Sequence, residues 1–138
     1  MARSVLADAG FLVALLSRGD AHHSWAVGRA SQFPPPWTSA ESVLSEAFYL
    51  LGQAGRAPLA KLIARRALIL GFSLGEHIEP VLKLLQKYSD VPMSLADACL
   101  VRMTETSGDT VLLTTDRDFR VYRRHGRQVI PCVLPSQG

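Results

Sequence analysis

Four acidic residues of this 138-residue chain stand in apolar surroundings: Asp8, Glu46, Asp97 and Asp116. Asp8 follows Val5-Leu6-Ala7 and Asp116 follows Val111-Leu112-Leu113-Thr114-Thr115, so each closes a predicted strand. Glu46 and Asp97 fall inside apolar helical patterns. Carboxylates that converge repel one another and resist desolvation, and such clusters are ordinarily held together by hard divalent cations. The chemistry this predicts is that of a metal-dependent enzyme, provided the four side chains meet.

Each acid also has a purely structural explanation. Asp8 suits the N-cap of the helix that follows it, although a capping carboxylate keeps an oxygen free for a ligand. Ser94-Leu95-Ala96-Asp97 has capping-box spacing, yet the stripe Met93, Asp97, Leu100, Val101 and Thr104 sets Asp97 on an apolar side. Glu41 stands three residues after Thr38 and is expected to be the acid of another capping box. Glu46 is mid-helix, at the margin of the inward stripe, where capping cannot explain it and the structural alternative is a surface glutamate. Asp116 closes Leu113-Thr114-Thr115 and could be an ordinary turn aspartate after a strand, but Asp118 nearby and the hydroxyls before it suggest the inner and outer contacts of a metal site. Asp118, two residues further on, is expected to point away from Asp116 and to play a supporting part. His22 and His23 are adjacent and project apart on a helix, so they read as surface residues, and His77 and His125 have no evident partner. Glycine-rich phosphate loops and nucleophile elbows are missing from the sequence.

The elements that must position these acids alternate between strand and helix. Ser4–Ala7 reads as a strand, with a short helix near Phe11–Ser17. Asp20 is placed to cap a helix over Ala21–Ala30. Pro34-Pro35-Pro36 leads into extended Trp37-Thr38, followed by a helix Ser39–Leu51 that stops near Gly52. Pro58–Leu68 is an amphipathic helix with Leu59, Leu62, Ile63 and Ala67 inward. A strand over Ile69–Leu74 precedes a helix Glu76–Tyr88, with Ile78, Val81, Leu82 and Leu85 inward. Ser94 opens a helix to about Ser107, Val111–Thr114 is a buried strand, and Gln128–Val133 is a final strand. This alternation predicts a three-layer α/β fold around a parallel sheet, in one domain over residues 1–138. Ligands of such sheets gather beyond the carboxyl ends of the strands, where Asp8 and Asp116 both fall.

Composition narrows the setting. The chain is long enough to bury a core without disulfides, and its two cysteines, Cys99 and Cys132, have no neighbour at metal-ligand spacing. No apolar run reaches the roughly 18 residues of a membrane span, and the start of the chain lacks a signal-peptide pattern, so a cytoplasmic protein is expected. The formal net charge is +3, so the chain without the four acids carries +7. Basic residues group at Lys61, Arg65 and Arg66 and again at Arg117, Arg120, Arg123, Arg124 and Arg127. An acidic centre in a basic surround suits a polyanion that approaches metal ions, although either basic group alone reads equally as a solvated face.

With its flanking sequence, the acidic set resembles the PIN domain family. The matching pieces run from Val5 through Asp8-Ala9-Gly10-Phe11-Leu12 to Leu16. They continue with Asp20-Ala21-His22-His23, Thr38-Ser39-Ala40-Glu41 to Glu46-Ala47, Met93-Ser94-Leu95-Ala96-Asp97-Ala98 and Leu112-Leu113-Thr114-Thr115-Asp116-Arg117-Asp118-Phe119. They occur in the family's order, span nearly the whole chain, and with its length resemble the VapC-like branch. The resemblance implies a three-layer α/β/α fold with a short central parallel sheet. It also implies a Mg²⁺- or Mn²⁺-dependent ribonuclease that hydrolyses RNA, tRNA or rRNA among the candidates, by water activated at the metal. Asp8, Glu46, Asp97 and Asp116 match the family's acidic positions, with Asp8 and Asp97 as the main ligands and Asp116 and Glu46 completing or orienting the shell. A toxin of a toxin–antitoxin pair, with an antitoxin partner and a homodimeric state, is the expected biology, and a stand-alone nuclease stays open. Many relatives carry a hydroxyl residue two positions after the first aspartate, where this chain has Gly10, so one secondary polar contact is expected to be missing.

Two rivals remain. Phosphoaspartate chemistry on a receiver-like or dehalogenase-like fold needs a second acid near Asp8 and a late lysine, but residue 10 is glycine and no lysine follows Lys87. A PIN-like module that binds RNA or a partner without catalysis is the non-enzymatic alternative, and retention of all four acids argues against it.

Overall fold

The structure, a computed structural model, describes residues 3–136. In chain order it comprises β1 (Ser4–Ala7), α1 (Ala9–Leu16), α2 (His23–Gln32), β2 (Trp37–Ser39), α3 (Glu41–Ala64), β3 (Leu68–Leu70), α4 (Ile78–Lys87), α5 (Leu95–Thr106), β4 (Thr110–Leu113), β5 (Arg123–Arg124), β6 (Gln128–Val129) and β7 (Cys132–Val133). Single 3-10 turns at Leu74–His77 and Arg117–Arg120 lead into α4 and away from β4.

Five short strands pair in parallel in the order β3-β2-β1-β4-β7. β1 and β4 form the centre, in register from Ser4 opposite Thr110 to Ala7 opposite Leu113. Every residue of β4 is buried, as expected of a strand covered on both faces. From β1 the chain steps to β2 and β3 on one side, then returns through α4 and α5 to β4 on the other. Right-handed crossovers therefore send the two sets of helices to opposite faces, which gives three layers, α/β/α. The reversal of direction between β1 and β4 opens a crevice at their carboxyl ends.

The core beneath this edge is aliphatic around β1 and β4 and aromatic at both flanks. Phe11 meets Trp37 edge-on at 5.3 Å and Trp25 at 6.1 Å. Tyr122, fully buried, meets Tyr88 at 5.1 Å and Phe119 at 5.2 Å. Edge-to-face rings of this kind fix orientation as well as burying area.

Several local expectations are corrected. Asp20 does not cap α2. The helix starts at His23, and Asp20 Oδ1 instead accepts from the His22 N–H at 2.8 Å in a turn. Glu41 is not the acid of a capping box on Thr38, because Thr38 and Ser39 pair into β2 and Ala40 becomes the cap residue of α3. The helix expected to stop near Gly52 does so, since α3 is two helices meeting at a non-helical Gly52, but the second is already helical ahead of Pro58 and ends at Ala64 rather than Leu68. The strand expected over Ile69–Leu74 is only Leu68–Leu70, and Ile78 and Leu82 of α4 are exposed while Val81 and Leu84 are buried. The final strand is divided at Pro131: Gln128–Val129 turns back on Arg123–Arg124 as an antiparallel hairpin, and only Cys132–Val133 joins the main sheet. His77 is not without partners, since it stacks on Phe72 at 4.8 Å and its Nδ1 lies 3.2 Å from Arg102 Nε.

Candidate acidic site

The backbone brings Asp8 and Asp116 to the crevice in the simplest way. Asp8 directly follows β1 and Asp116 lies three residues beyond the end of β4, and the Asp8 N–H donates to the Leu113 carbonyl at 3.0 Å, extending the β1–β4 ladder by one residue. Ser39, fully buried at the end of β2, donates its hydroxyl to the Ala7 carbonyl at 2.8 Å and so clamps β2 to the residue before Asp8.

Asp8 is the N-cap of α1: its Oδ1 accepts from the Ala9 N–H at 2.7 Å. Its Oδ2 accepts from the Thr114 hydroxyl at 2.6 Å, and that same oxygen of Thr114 accepts from the Asp116 N–H at 3.0 Å. One buried threonine thus fixes the carboxylate of Asp8 and the backbone of Asp116 together. Burial, reinforced by the negative charges of Asp97 and Glu46, pushes the Asp8 carboxyl up to about 7 despite the bonds from Thr114 and Ala9. A carboxylate that two donors cannot hold in its ordinary range lacks a positive partner.

The structural and functional readings of Asp97 hold together. The capping box is present, with the Asp97 N–H donating to Ser94 Oγ at 3.0 Å and the Ser94 N–H donating to Asp97 Oδ2 at 3.1 Å. Yet the side chain is buried rather than facing solvent. Tyr122 also donates to Asp97 Oδ2, at 3.3 Å. Burial raises the Asp97 carboxyl, and the charge of Asp116 adds to the rise against the bonds from Ser94 and Tyr122. Tyr122 is itself pushed upward by burial and by Asp97, Asp118 and Asp116, which keeps its hydroxyl a donor.

Glu46 is the exposed member, one turn beyond Ser42 on α3. Partial burial and then the charges of Asp97 and Asp116 raise its carboxyl. Asp116 Oδ1 accepts from the Asp118 N–H at 2.9 Å, which caps the turn after β4. Asp118 therefore serves Asp116 through its backbone.

Every one of the four acids is within electrostatic reach of at least two others. Among the described residues, however, no three His, Cys, Asp or Glu side chains gather tightly enough to chelate an ion as they stand. The two observations differ in range. Charge repulsion extends over several ångströms, whereas chelation needs oxygens within hydrogen-bond distance of one point. The residues fit a hard divalent ion in donor chemistry, all carboxylate oxygen, and in the negative charge that Asp8, Glu46, Asp97 and Asp116 bring together. Mg²⁺ is commonly held by one or two carboxylates with water filling the remaining positions, which suits a loose set.

Sequence reasoning missed Tyr122 and Ser39. Tyr122 lies 25 positions from Asp97, and only the 3-10 turn Arg117–Arg120 carries it back under α5. Ser39 could have been noticed as a polar residue closing an apolar strand. Of the basic groups, Arg123 bonds the carbonyls of Arg120, Val121 and Tyr122, and Arg124 bonds those of Thr104 and Ser107 at the end of α5. Both are thereby committed to structure. Arg65 and Arg66 directly precede the amino end of β3, on the edge of the sheet opposite the acids, while Arg117 and Arg120 follow Asp116 on the acidic edge.

An α/β/α sandwich with acids gathered at the switch point of a five-stranded parallel sheet defines a narrow class of architecture. Residues 5–124 match the family model described as PIN domain, and the chain belongs to that family. Its fold is VapC-like: the solved structure of VapC20 from Mycobacterium tuberculosis, described as a sarcin-ricin loop cleaving toxin, is similar with a TM-score of 0.73. That likeness covers 86% of this chain and 94% of the other at 24% sequence identity. A comparison with curated proteins finds no match.

Proposed function

We propose that this chain is a Mg²⁺- or Mn²⁺-dependent endoribonuclease that hydrolyses RNA phosphodiester bonds at Asp8, Glu46, Asp97 and Asp116. The observation that carries the reading is the mutual repulsion of these four acids, two of them buried, at the carboxyl edge of a PIN fold. Clustered, perturbed carboxylates of this kind suit a working site in which a bound cation offsets their charge.

In this reading Asp8 and Asp97 are the principal ligands, each already oriented by donors that leave oxygen lone pairs unused. Asp116 completes the set from the end of β4. Glu46, open to solvent and raised in proton affinity, orients water at the rim and exchanges protons with bulk. When bound, the divalent ion supplies charge neutralisation at the scissile phosphate and a more acidic water. Arg117 and Arg120 lie on the same edge to steer the RNA backbone. The biological role proposed is the toxin of a toxin–antitoxin pair, homodimeric and cytoplasmic, all within the one domain. Support for the toxin role comes from the likeness to VapC20, and no helix of the described residues is long and apolar enough to cross a membrane. The sarcin-ricin loop is a reasonable first substrate alongside tRNA.

One observation favours the alternative of a PIN-like module without catalysis, namely the lack of a ready three-ligand cluster among the described residues. Cleavage decides between them. Single-stranded RNA should be cut by the wild-type protein with Mn²⁺ and left intact by Asp8→Asn, with the circular dichroism of the two proteins superimposable. Undiminished cleavage by a folded Asp8→Asn protein would sink the proposal.

A further inference from the structure

Gly10 and Thr115 share one volume. A Cβ built on Gly10, the second residue of α1, would lie 2.1 Å from Thr115 Oγ1 and 3.3 Å from Thr115 Cβ. The hydroxyl of Thr115 therefore occupies the space that any side chain at residue 10 would need. The two neighbouring threonines differ in what their hydroxyls do. Thr114 is fully buried and its oxygen is spent between Asp8 and the Asp116 N–H. Thr115 is half-buried, makes no side-chain hydrogen bond among the described residues, and is not among the buried unpaired groups, so its hydroxyl is open to solvent.

This free hydroxyl sits against the first turn of α1, which Asp8 caps, and belongs to the residue between Thr114 and Asp116. We propose that Thr115 is a positioning residue of the acidic site, its hydroxyl orienting the water shell of the cation held by Asp8 and Asp116, and that Gly10 is required because it vacates the place the hydroxyl takes. A hydroxyl donates one hydrogen bond and accepts two, so it can hold a water in one orientation where a further carboxylate would only accept. Outer contacts of this kind orient the ligands and waters of metal sites. The inference rests on the metal-dependent reading of the four acids and assigns to it a residue outside the acid set.

The test uses the full chain and four proteins: wild type, Thr115→Val, Thr115→Ser, and the double variant Gly10→Ser with Thr115→Ala. Valine keeps the shape of threonine and removes the hydroxyl, so thermal melting should be unchanged. Two readouts are taken, steady-state cleavage of single-stranded RNA and Mn²⁺ affinity by calorimetry without RNA. Thr115→Val should lose about 10- to 100-fold in kcat and in Mn²⁺ affinity, the range for outer-contact mutations at metal sites. KM for RNA should stay near the wild-type value. Thr115→Ser should behave as wild type, and the double variant, whose hydroxyl now comes from residue 10, should recover most of both losses. Wild-type behaviour of Thr115→Val in both readouts overturns the inference, as does a Thr115→Ser protein as poor as the valine variant, which would mark a packing role. A wild-type protein that neither cleaves RNA nor binds Mn²⁺ overturns the underlying nuclease reading, and is distinguished from those outcomes by the first protein alone.

Discussion

Asp8 carries the plainest electrostatic cost in the molecule. It is 5% exposed, receives two hydrogen bonds, and is still raised from 3.8 to about 7. A carboxyl raised by folding stabilises the fold fully below its unfolded value and ceases to do so as pH climbs through the folded value. The metal-free protein should therefore melt at progressively lower temperature between pH 4 and pH 7, and Asp8→Asn should flatten that slope and melt higher than wild type at pH 8. Asparagine can keep both contacts, accepting from Ala9 and donating to Thr114. Mn²⁺ should raise the melting temperature of wild type and leave Asp8→Asn unmoved, because only a ligand that binds the folded site shifts the equilibrium. Scanning calorimetry across pH with and without the ion checks all three. At this scale the sequence was informative about which residues matter: Asp8 and Asp97 each had an evident cap role and an apolar setting. It was silent about Tyr122, since the bond to Asp97 depends on how the 3-10 turn after β4 folds back.

Helix α3 shows where element-level reading succeeds and where it stops. Gly52 was legible as an interruption and the helix around Leu59 as its successor, but the start of that second helix ahead of Pro58 was not, because the proline marks a favourable first turn while packing of Leu59 into the core extends the helix back toward Gly52. Gly52 has φ 65° and ψ −159°, a region essentially closed to other residues, so Gly52→Ala should lower stability by about 1–3 kcal/mol in urea denaturation. At the far end of the same helix Arg66 takes φ 62° while its N–H bonds the Ile63 carbonyl and that of Ala67 bonds Leu62. Glycine suits that left-handed closing position, and Arg66→Gly should raise stability by about 1 kcal/mol in the same assay. The capping box of α5 was legible from its spacing, and Ser94→Ala should cost about 1 kcal/mol. The box expected from Thr38 to Glu41 failed for a tertiary reason: pairing of β2 with β3 holds Thr38 in the strand, so α3 opens at Glu41 behind Ala40.

The whole molecule places its chemistry where strand order reverses, and that arrangement was legible in outline from two aspartates ending two apolar strands. The order β3-β2-β1-β4-β7 was not, since pairing partners of three-residue strands leave almost no trace in local sequence. Charge follows the same division, with the acids at the crevice and Arg117 and Arg120 in the turn that Asp116 caps. Single-stranded RNA binding by the inert Asp8→Asn variant should weaken roughly 20-fold from 50 to 200 mM salt if about three phosphates are contacted, at a slope near −0.7 per contact. Fluorescence anisotropy measures it, and a salt-independent Kd would remove the basic edge from the account. The central claim is that four repelling acids form a metal-dependent RNA-cleaving centre. Its most direct test is cleavage of a panel of tRNA and rRNA substrates, the sarcin-ricin loop included, by wild type and Asp97→Ala with and without Mn²⁺. Cuts at defined positions are expected only for wild type with Mn²⁺. Cleavage by Asp97→Ala equal to wild type, or by wild type with the metal chelated, would contradict it.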